Sequence, residues 1–422
     1  MLFLSRLVTR FFQRTPLWKQ LLIVSILSTL ICTKTVISHY TNIRRHRAAA
    51  GVPVSFLRTV RRSLIASYTS LFDFVSTFQL IVTDPQVVLR VLQYQYQSIQ
   101  GLERDVSYEK FQFGRGLGGG HRSRQCLDIL DNHLACGGKE QDASVVILFV
   151  HGGAWGFGDK NIYTSMLLDL QRELELRFNE KRIIVAACNY RLYPMADMLV
   201  MVEDVAAAVR LLHYRYGCQI SLVGHSAGSH LAISLLCYES MCHEQNAKLS
   251  LQSLIKGYIL QSGVYDIGLH YAHETSRGVQ EYSPMKPAAL GMKRFSHVSP
   301  VNHVKPVGSP QLPPSSEEKS DEDVEDTSSI PIRLLHSDED LVVPSAQSKE
   351  MLNCLQSAGY KNVKLTHLQG GHDLPVMCFL DPHFGGEKVE GAVRGMMKKR
   401  ERDARRTKEQ LISAIEDVYE GG

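Results

Sequence analysis

The chain has 422 residues, of which 44% are hydrophobic, so it can bury a large core as one big domain or two smaller ones. Its net charge of +4 is too small to favour nucleic-acid binding, and no basic stripe interleaved with aromatic residues is present. Nine cysteines without a C-x-x-C pair favour free thiols over a disulfide framework. No zinc-ligand spacing, H-E-x-x-H motif or phosphate loop predicts a metal or cofactor.

An apolar segment near the start of the chain predicts a membrane anchor. Its core runs from Leu21 to Cys32, and the wider segment from Pro16 to Ser38 is long enough to span a bilayer. A cleaved signal peptide is the alternative, although no small-x-small site follows the apolar core cleanly. Basic residues are more numerous after this segment than before it, which favours a cytosolic position for the rest of the chain. We therefore expect a tail and a single transmembrane anchor in residues 1–43.

Residues 44–107 contain a second apolar stretch, from Leu64 to Val82. Its apolar side chains recur at helical spacing on one face. A second membrane span would place Asp73 near the middle of the bilayer, at a cost of roughly 2.5–3.5 kcal/mol. We expect an amphipathic helix that lies on the membrane or caps the mouth of an active site, with an ordinary core helix as an equal alternative.

Residues 108–385 predict an α/β domain. Short apolar strands alternate with helices of about 10 to 20 residues, a pattern typical of a mostly parallel sheet covered by helices on both faces. The predicted strands are Val145–Val150, Ile183–Ala187, Ile220–Val223, Gly257–Gln261, Ile332–Leu335 and Val363–Leu368, and the clearest helices are Asp197–Tyr214 and Ser345–Ser357.

Two segments depart from this alternation. Residues 308–329 combine prolines, serines and acidic side chains, which predicts a disordered insertion in a surface loop. Residues 386–422 contain a basic helix, from Glu390 to Val418. A solvated tail is the commoner explanation for such a helix, and a membrane-facing basic patch is the alternative.

A G-x-S-x-G motif at residues 224–228 follows the strand Ile220–Val223 and precedes an apolar helical pattern. Strand, sharp turn and helix are the context in which this motif forms a nucleophile elbow, where a strained backbone exposes the serine. Gly224 and Gly228 leave the space that such a turn needs. Ser226 is therefore the candidate nucleophile, although glycine and serine also make ordinary turns.

A serine nucleophile needs a general base, and the base needs an acid that orients it. In sheet proteins of this kind the acid and then the base follow the serine, each in a loop after a strand. Asp340 follows the strand Ile332–Leu335, and His372 follows Val363–Leu368 after two glycines. We therefore choose Asp340 as the acid and His372 as the base.

Competing side chains lie nearby in the sequence. Asp338 is the first alternative for the acid, and Asp266 is a weaker one. His336 and His367 lie within or at the ends of strands, where a structural role is the more common one. An ordinary surface position in a glycine turn is the alternative for His372.

Backbone N–H groups must also face the negative charge that develops during attack by the serine. Ala227 offers one N–H from the start of the helix, and Gly152, Gly153 and Ala154 offer others from the loop after Val145–Val150. We expect these four residues to form an oxyanion hole. His151 is expected to brace the loop, and Trp155 is expected to wall the substrate site or simply to pack.

The motifs H-G-G-A-W-G-x-G-D-K at residues 151–160, N-Y-R-L-Y-P at 189–194 and G-H-S-A-G at 224–228 resemble the α/β-hydrolase superfamily. The H-G-G-x-W form looks like the kynurenine formamidase branch, and the whole is most similar to isoprenylcysteine alpha-carbonyl methylesterases. The likeness covers roughly residues 108–380. Ser337 stands where that family usually has glycine, and the acidic insertion is not a family hallmark.

The resemblance implies hydrolysis of a carboxylic ester through an acyl-enzyme. It further implies that the substrate is the methyl ester of a prenylated cysteine, on a protein or free, and that the enzyme sits in endoplasmic reticulum or Golgi membranes. Within enzymes, the alternatives are a kynurenine formamidase-like amidase and a lipid esterase. The alternative outside catalysis is a membrane-tethered scaffold with a vestigial triad.

Overall fold

The structure is a computed structural model that describes residues 107–112, 124–131, 145–178, 181–242, 250–277, 280, 283–307, 327–372, 374–379 and 392–420. The anchor predicted in residues 1–43, the amphipathic segment Leu64–Val82 and residues 308–326 of the acidic insertion lie outside these ranges. No helix in the described part of the chain is long and apolar enough to cross a bilayer.

Eight strands of the described residues form one sheet. Their bounds are β1 Ser107–Gln112, β2 Cys126–Asp131, β3 Val145–Val150, β4 Ile183–Asn189, β5 Ile220–His225, β6 Ile255–Gln261, β7 Ile332–Ser337 and β8 Val363–Leu368. They lie in the order β1-β2-β4-β3-β5-β6-β7-β8, with β1 and β2 antiparallel to their neighbours and the rest parallel. The strand that precedes the G-x-S-x-G serine therefore lies near the middle of the sheet.

Nine helices connect or cover these strands in the described ranges. Their bounds are α1 Thr164–Arg177, α2 Met198–Tyr216, α3 Ala227–Ser234, α4 Tyr238–Cys242, α5 Ile267–Ser276, α6 Met285–Ala288, α7 Ala346–Ser357, α8 Leu374–Met377 and α9 Ala392–Glu420. Local signals set some of these limits. The side chain of Asp197 accepts a hydrogen bond from the N–H of Val200 at the start of α2, and Gly217 ends that helix in the left-handed conformation.

The sheet separates two apolar layers, because successive side chains of a strand point to opposite faces. In β3, Val146, Leu148 and Val150 join the layer that contains buried residues of α2, α3 and α7. Val145, Ile147 and Phe149 join the layer that contains α1 and α9. All six residues of β3 are buried, as a strand covered on both faces requires. The prediction of an α/β-hydrolase fold with a mostly parallel sheet is confirmed.

The second half of the C-terminal helix differs from the expectation of a solvated tail. Leu411, Ile412, Ile415 and Val418 of α9 are buried in the layer that faces β3. The hydroxyl of Tyr419 donates a hydrogen bond of 2.9 Å to the carbonyl of Val146. The basic charge that dominates the first half of the segment hid this apolar stripe, so α9 belongs to the hydrolase domain rather than following it.

We expect Ile415→Ala to lower the free energy of unfolding by about 2–5 kcal/mol, because Ile415 is fully buried and its loss leaves a cavity. Ser413→Ala, at an exposed position on the same turn, is the matched control and should change the stability by less than about 0.5 kcal/mol. Denaturant unfolding monitored by circular dichroism measures both. Equal, small effects would mean that α9 is solvated after all.

Candidate active site

The candidate site lies at the carboxyl edge of the parallel strands, where their loops meet. The loops after β3, β5, β7 and β8 carry the predicted oxyanion residues, Ser226, Asp340 and His372 respectively. Because these four strands belong to one sheet, its order determines which loops are neighbours. β5 lies between β3 and β6, and β7 and β8 follow on the same side.

Ser226 lies in a strained turn between β5 and α3. Its backbone has φ 54° and ψ −121°, a conformation that L residues rarely adopt, and its N–H donates a 2.9 Å hydrogen bond to the carbonyl of Gln261. The turn also needs both glycines of the motif. A Cβ at Gly228 would lie 2.0 Å from the carbonyl oxygen of Val150, and one at Gly224 would lie 2.6 Å from the Cα of Ser229.

The helix that follows the serine supplies one of the predicted oxyanion donors. Ala227 is the first residue of α3, so its N–H belongs to the first turn, where backbone donors have no acceptor within the helix. The positive end of the helix dipole lies at the same point. Negative charge that develops beside Ser226 would therefore meet a donor that is already in place.

Asp340 and His372 are brought together across the loops after β7 and β8. The Nδ1 atom of His372 lies 2.7 Å from Oδ2 of Asp340. The N–H groups of Val342 and Val343 each donate a 2.9 Å hydrogen bond to Oδ1 of the same carboxylate. Burial by itself would raise the pKa of Asp340, but the hydrogen bonds from His336 and His372 outweigh it and hold the pKa well below its ordinary value. Asp340 is therefore a charged acceptor for the imidazole.

Of the alternatives, Asp338, Asp266 and His367 make their contacts elsewhere, whereas Nε2 of His336 lies 3.5 Å from Oδ2 of Asp340. Asp338 has a side chain that is 60% exposed and lies 3.1 Å from the ammonium of Lys349. The side chain of Asp266 caps α5 by accepting a hydrogen bond from the N–H of Leu269. His336 is buried, with Nδ1 at 2.7 Å from the hydroxyl of Ser348 and Nε2 donating to the carbonyl of Val343, so it shapes the acid loop. His367 is mostly exposed and lies 3.5 Å from Asp338.

The loop after β3 approaches the nucleophile closely. A Cβ at Gly152 would lie 3.1 Å from the Cβ of Ser226, so a larger residue there would press on the serine. Gly153, Ala154 and Trp155 all have positive φ angles, of 125°, 47° and 61°. Three successive residues in this region turn the backbone tightly, directly after the predicted oxyanion residue Gly152 that lies against Ser226.

The loop is fixed at both of its ends. At the start, the Nδ1–H group of His151 donates to the carbonyl of Gly152, and the hydroxyl of Tyr190 donates to the carbonyl of His151. Burial lowers the pKa of His151 to about 4, so the ring is neutral and packs against Tyr190 at 4.5 Å between centroids. At the end of the loop, Lys160 forms a buried 2.6 Å ion pair with Asp128. The bracing role expected for His151 matches these contacts.

Trp155 is packed in the interior, which favours the second of the two roles expected for it over a place in the wall of the substrate site. Its side chain is only 1% exposed, and its Nε1–H donates a 3.1 Å hydrogen bond to Nδ1 of His230 on α3. Nε2 of His230 in turn donates to the carbonyl of Val298. Burial lowers the pKa of His230 to about 4, which keeps the ring neutral and able to accept from Trp155. No pattern in the sequence distinguished His230 from an ordinary helical residue.

A buried histidine and glutamate on α5 complete the surroundings of the triad. Nε2 of His270 lies 3.6 Å from Oε1 of Glu274, and both side chains are at least nine-tenths buried. Burial, with smaller electrostatic contributions from His273 and His372, lowers the pKa of His270 to about 3, so the ring is neutral. Burial raises the pKa of Glu274 to about 7, which the hydrogen bond with Ser283 offsets only in part.

No group of three histidine, cysteine or acidic side chains within the described ranges is placed to hold a metal ion. The seven cysteines of that part of the chain are free thiols.

Comparison with known proteins shows which family the chain belongs to. A sequence model of the BD-FAE family matches residues 130–355, which is more than half of the chain and includes both Ser226 and Asp340. The chain belongs to the BD-FAE family. The match does not reach His372, which the structure places beside Asp340.

Two relatives and one solved structure illustrate the range of similarity. The probable isoprenylcysteine alpha-carbonyl methylesterase of Oryza sativa subsp. japonica is 30% identical over 251 residues, 58% of this chain and 54% of that protein. The kynurenine formamidase of Salmo salar is 32% identical over 124 residues, 29% of this chain and 37% of that protein. The chain spans about half the length of the methylesterases it matches. Esterase B from Lactobacillus rhamnosis superposes with a TM-score of 0.46 and 16% identity, covering 78% of this chain and 98% of that chain.

Glu274→Gln should flatten the pH dependence of stability. The folded protein holds a proton on Glu274 up to about pH 7, whereas the unfolded chain releases it near pH 4.5, so the wild type loses stability as the pH rises between these values. The glutamine variant has no such proton to lose. Urea unfolding at pH 5 and pH 8 measures the difference, with Glu239→Gln, at an exposed carboxyl group, as the control. A variant that declines with pH as steeply as the wild type would contradict this prediction.

Proposed function

We propose that the protein is a serine hydrolase that cleaves carboxylic esters through Ser226, His372 and Asp340. The observation that carries the proposal is the 2.7 Å contact between Nδ1 of His372 and Oδ2 of Asp340, together with the strained elbow that holds Ser226. A buried carboxylate that accepts from Nδ1–H leaves Nε2 without a proton, which is the form of the imidazole that acts as a general base. Membership of the BD-FAE family and the names of the relatives support the same reaction class.

The reaction would proceed in two transfers. His372 takes the proton of the Ser226 hydroxyl as its oxygen attacks the ester carbonyl, and Asp340 stabilises the imidazolium that forms. The proton then passes to the departing alcohol, which leaves an acyl group on Ser226. A water molecule, deprotonated by the same histidine, attacks the acyl-enzyme and forms a second tetrahedral intermediate. When this intermediate collapses, the acid is released and the serine takes back a proton from the histidine.

The oxyanion of each tetrahedral intermediate would lie between α3 and the loop after β3. Ala227 would contribute its N–H from the helix, and Gly152, Gly153 and Ala154 would contribute theirs from the loop, whose residue Gly152 lies against Ser226. Loss of one such donor costs about 2.7–4 kcal/mol of transition-state stabilisation in hydrolases. The tether from Trp155 to His230 matters here because it keeps the loop against α3.

For the substrate we propose the methyl ester of a prenylated cysteine, on a protein or as the free amino-acid derivative. Four similar relatives from two plants carry the name isoprenylcysteine alpha-carbonyl methylesterase. The kynurenine formamidases of Salmo salar and Danio rerio, each 32% identical over 124 residues, favour an N-formyl amide as the second candidate.

A membrane location is part of the proposal. The apolar run from Leu21 to Cys32 supports an anchor, and an anchored enzyme would meet a prenylated substrate in the bilayer where that substrate resides. We place the enzyme in the endoplasmic reticulum or Golgi membrane with its catalytic domain in the cytosol. Fluorescence microscopy of the full chain with organelle markers, combined with protease protection in isolated membranes, tests both parts.

Ser226→Ala should abolish labelling by a fluorophosphonate probe and lower kcat for a short ester by about 10⁴-fold or more, because the nucleophile is gone. Ser357→Ala, at an exposed serine on α7, should label as the wild type does. Gel fluorescence and a p-nitrophenyl acetate assay measure the two effects. A wild-type chain that neither labels nor turns over would favour the scaffold with a vestigial triad.

A panel of substrates offered to the full chain should rank a farnesylcysteine methyl ester first in kcat/KM. We expect it to exceed N-formylkynurenine and a long-chain lipid ester by about tenfold or more, a difference of about 1.4 kcal/mol in transition-state binding. Liquid chromatography of the products measures all three on the same preparation. A preference for formylkynurenine would replace the methylesterase with the amidase, and a preference for the lipid ester would replace it with a lipase.

A further inference from the structure

His225 stands directly before the nucleophile, at the variable position of the G-x-S-x-G motif, and nothing in the proposed reaction uses it. Its side chain is 3% exposed, at the carboxyl end of β5. Burying an imidazole costs more free energy than burying an apolar side chain of similar size, because the polar ring loses its hydrogen bonds to water. It therefore requires hydrogen-bond partners within the protein. One of its hydrogen-bond partners lies in the loop that carries the proposed general base.

Nε2 of His225 lies 3.0 Å from the backbone carbonyl oxygen of His372. The carbonyl can only accept, so the imidazole donates. The two rings are also in contact, with 4.9 Å between centroids and 44° between planes. One side chain of the nucleophile turn therefore binds both the backbone and the ring of the general base, although 147 residues separate the two in the sequence.

The loop that carries His372 needs such a support. Two glycines precede the histidine, and Gly370 has a φ of 83°. A Cβ at Gly371 would meet no atom within 4 Å, so the loop is not packed at that point. The contact between Nδ1 of His372 and Asp340 fixes the ring but not the backbone that bears it. The hydrogen bond from His225 acts on the backbone.

His225 also borders the loop after β3, which carries the proposed oxyanion residues and is called the oxyanion loop below. A Cβ at Gly152 would lie 3.0 Å from Nδ1 of His225, so the ring fills the space between that loop and the base loop. The same imidazole thus touches the loops after β3 and β8 and adjoins Ser226 in the chain. With its Nε2–H donor, His225 can therefore hold the loop of His372 at a fixed distance from Ser226.

From these contacts we infer that His225 is a positioning residue that holds the His372 loop in register with Ser226 through the hydrogen bond from Nε2–H to the His372 carbonyl. The inference rests on the proposed function, because it concerns the same base and nucleophile. A displacement of a catalytic group by about 1 Å can lower a rate by about 10²-fold. Losing this donor should therefore affect kcat, while substrate binding stays largely intact.

Three variants of the full chain separate the donor from the space it fills. His225→Leu has a similar volume and no donor, His225→Gln carries an amide N–H near the position of Nε2, and His225→Asn carries an amide that is too short to reach. With p-nitrophenyl acetate, we expect the leucine and asparagine variants to lose about 10- to 100-fold in kcat with KM changed less than about threefold. The glutamine variant should recover most of that loss.

A double-mutant cycle with His372→Ala tests whether His225 acts through the base. In that background, His225→Leu should change the residual rate by less than about twofold, because the group that it positions is gone. Thermal unfolding of each variant controls for stability. Should His225→Leu fail to fold, the comparison of glutamine with asparagine carries the test, since both are polar and differ only in reach.

Three outcomes would overturn the inference. Equal losses in the glutamine and leucine variants would show that ring packing matters and the donor does not. A full additional loss in the His372→Ala background would show that His225 acts on the serine or the oxyanion loop. Wild-type kcat in all three variants would leave it without a role. A wild-type chain that hydrolyses no ester and takes up no fluorophosphonate would instead end the proposed function itself, and this inference with it.

Discussion

The strained backbone at Ser226 is the constraint on which the rest of the structure depends. A non-glycine residue held at φ 54° and ψ −121° costs about 1–3 kcal/mol and persists only where its surroundings allow no alternative. Here β3 and β6 flank the strand that leads into the turn, the carbonyl of Gln261 holds the N–H of Ser226, and backbone atoms crowd both glycines of the motif. The sheet must be complete at its centre before the serine can be presented.

Around that turn, burial and hydrogen bonding together decide which groups are charged. Asp340 and Glu274 are both buried, and burial pushes the pKa of each upward. For Asp340, hydrogen bonds from the imidazoles of His336 and His372 and from backbone N–H groups outweigh burial, so its pKa falls well below the ordinary range. Glu274 has fewer donors, and its pKa rises to about 7. Two buried carboxyl groups thereby acquire different charge states.

The buried histidines follow the same rule in the opposite sense. His151 and His230 lie in apolar surroundings that lower their pKa values to about 4, so both are neutral. A neutral ring can donate with one nitrogen and accept with the other, and His230 does both, between Val298 and Trp155. The loop after β3 is therefore supported by histidines that take no part in the proposed proton transfer.

The sequence predicted the parts of this arrangement that depend on local patterns. The bounds of β3 and β8 match the predicted strands, because each is a short run that ends at a turn. β7 extends two residues beyond its prediction, since His336 and Ser337 pair with His367 and Leu368 of β8, a partnership that no local pattern reveals.

Residues whose role comes from contacts distant in the sequence were missed or misread for the same reason. The buried stripe of α9 was masked by nearby basic residues, and Trp155 was read from a motif rather than from its contact with His230. His225 stood in the motif itself, yet its partner lies in another loop. Pattern alone could place Ser226, Asp340 and His372 in loops at one edge, but not the side chains that brace them.

The position of β8 in the sheet gives the site a weak point. Within the described ranges β8 ends the strand order and pairs with β7 alone, and its Lys364 and His367 side chains are exposed, whereas β5 is buried along its whole length. Outer strands open by local fluctuations that cost less free energy than global unfolding. Mild heating or dilute denaturant would release the base while the nucleophile remains in its turn, so inactivation would precede the loss of secondary structure and be reversed on cooling.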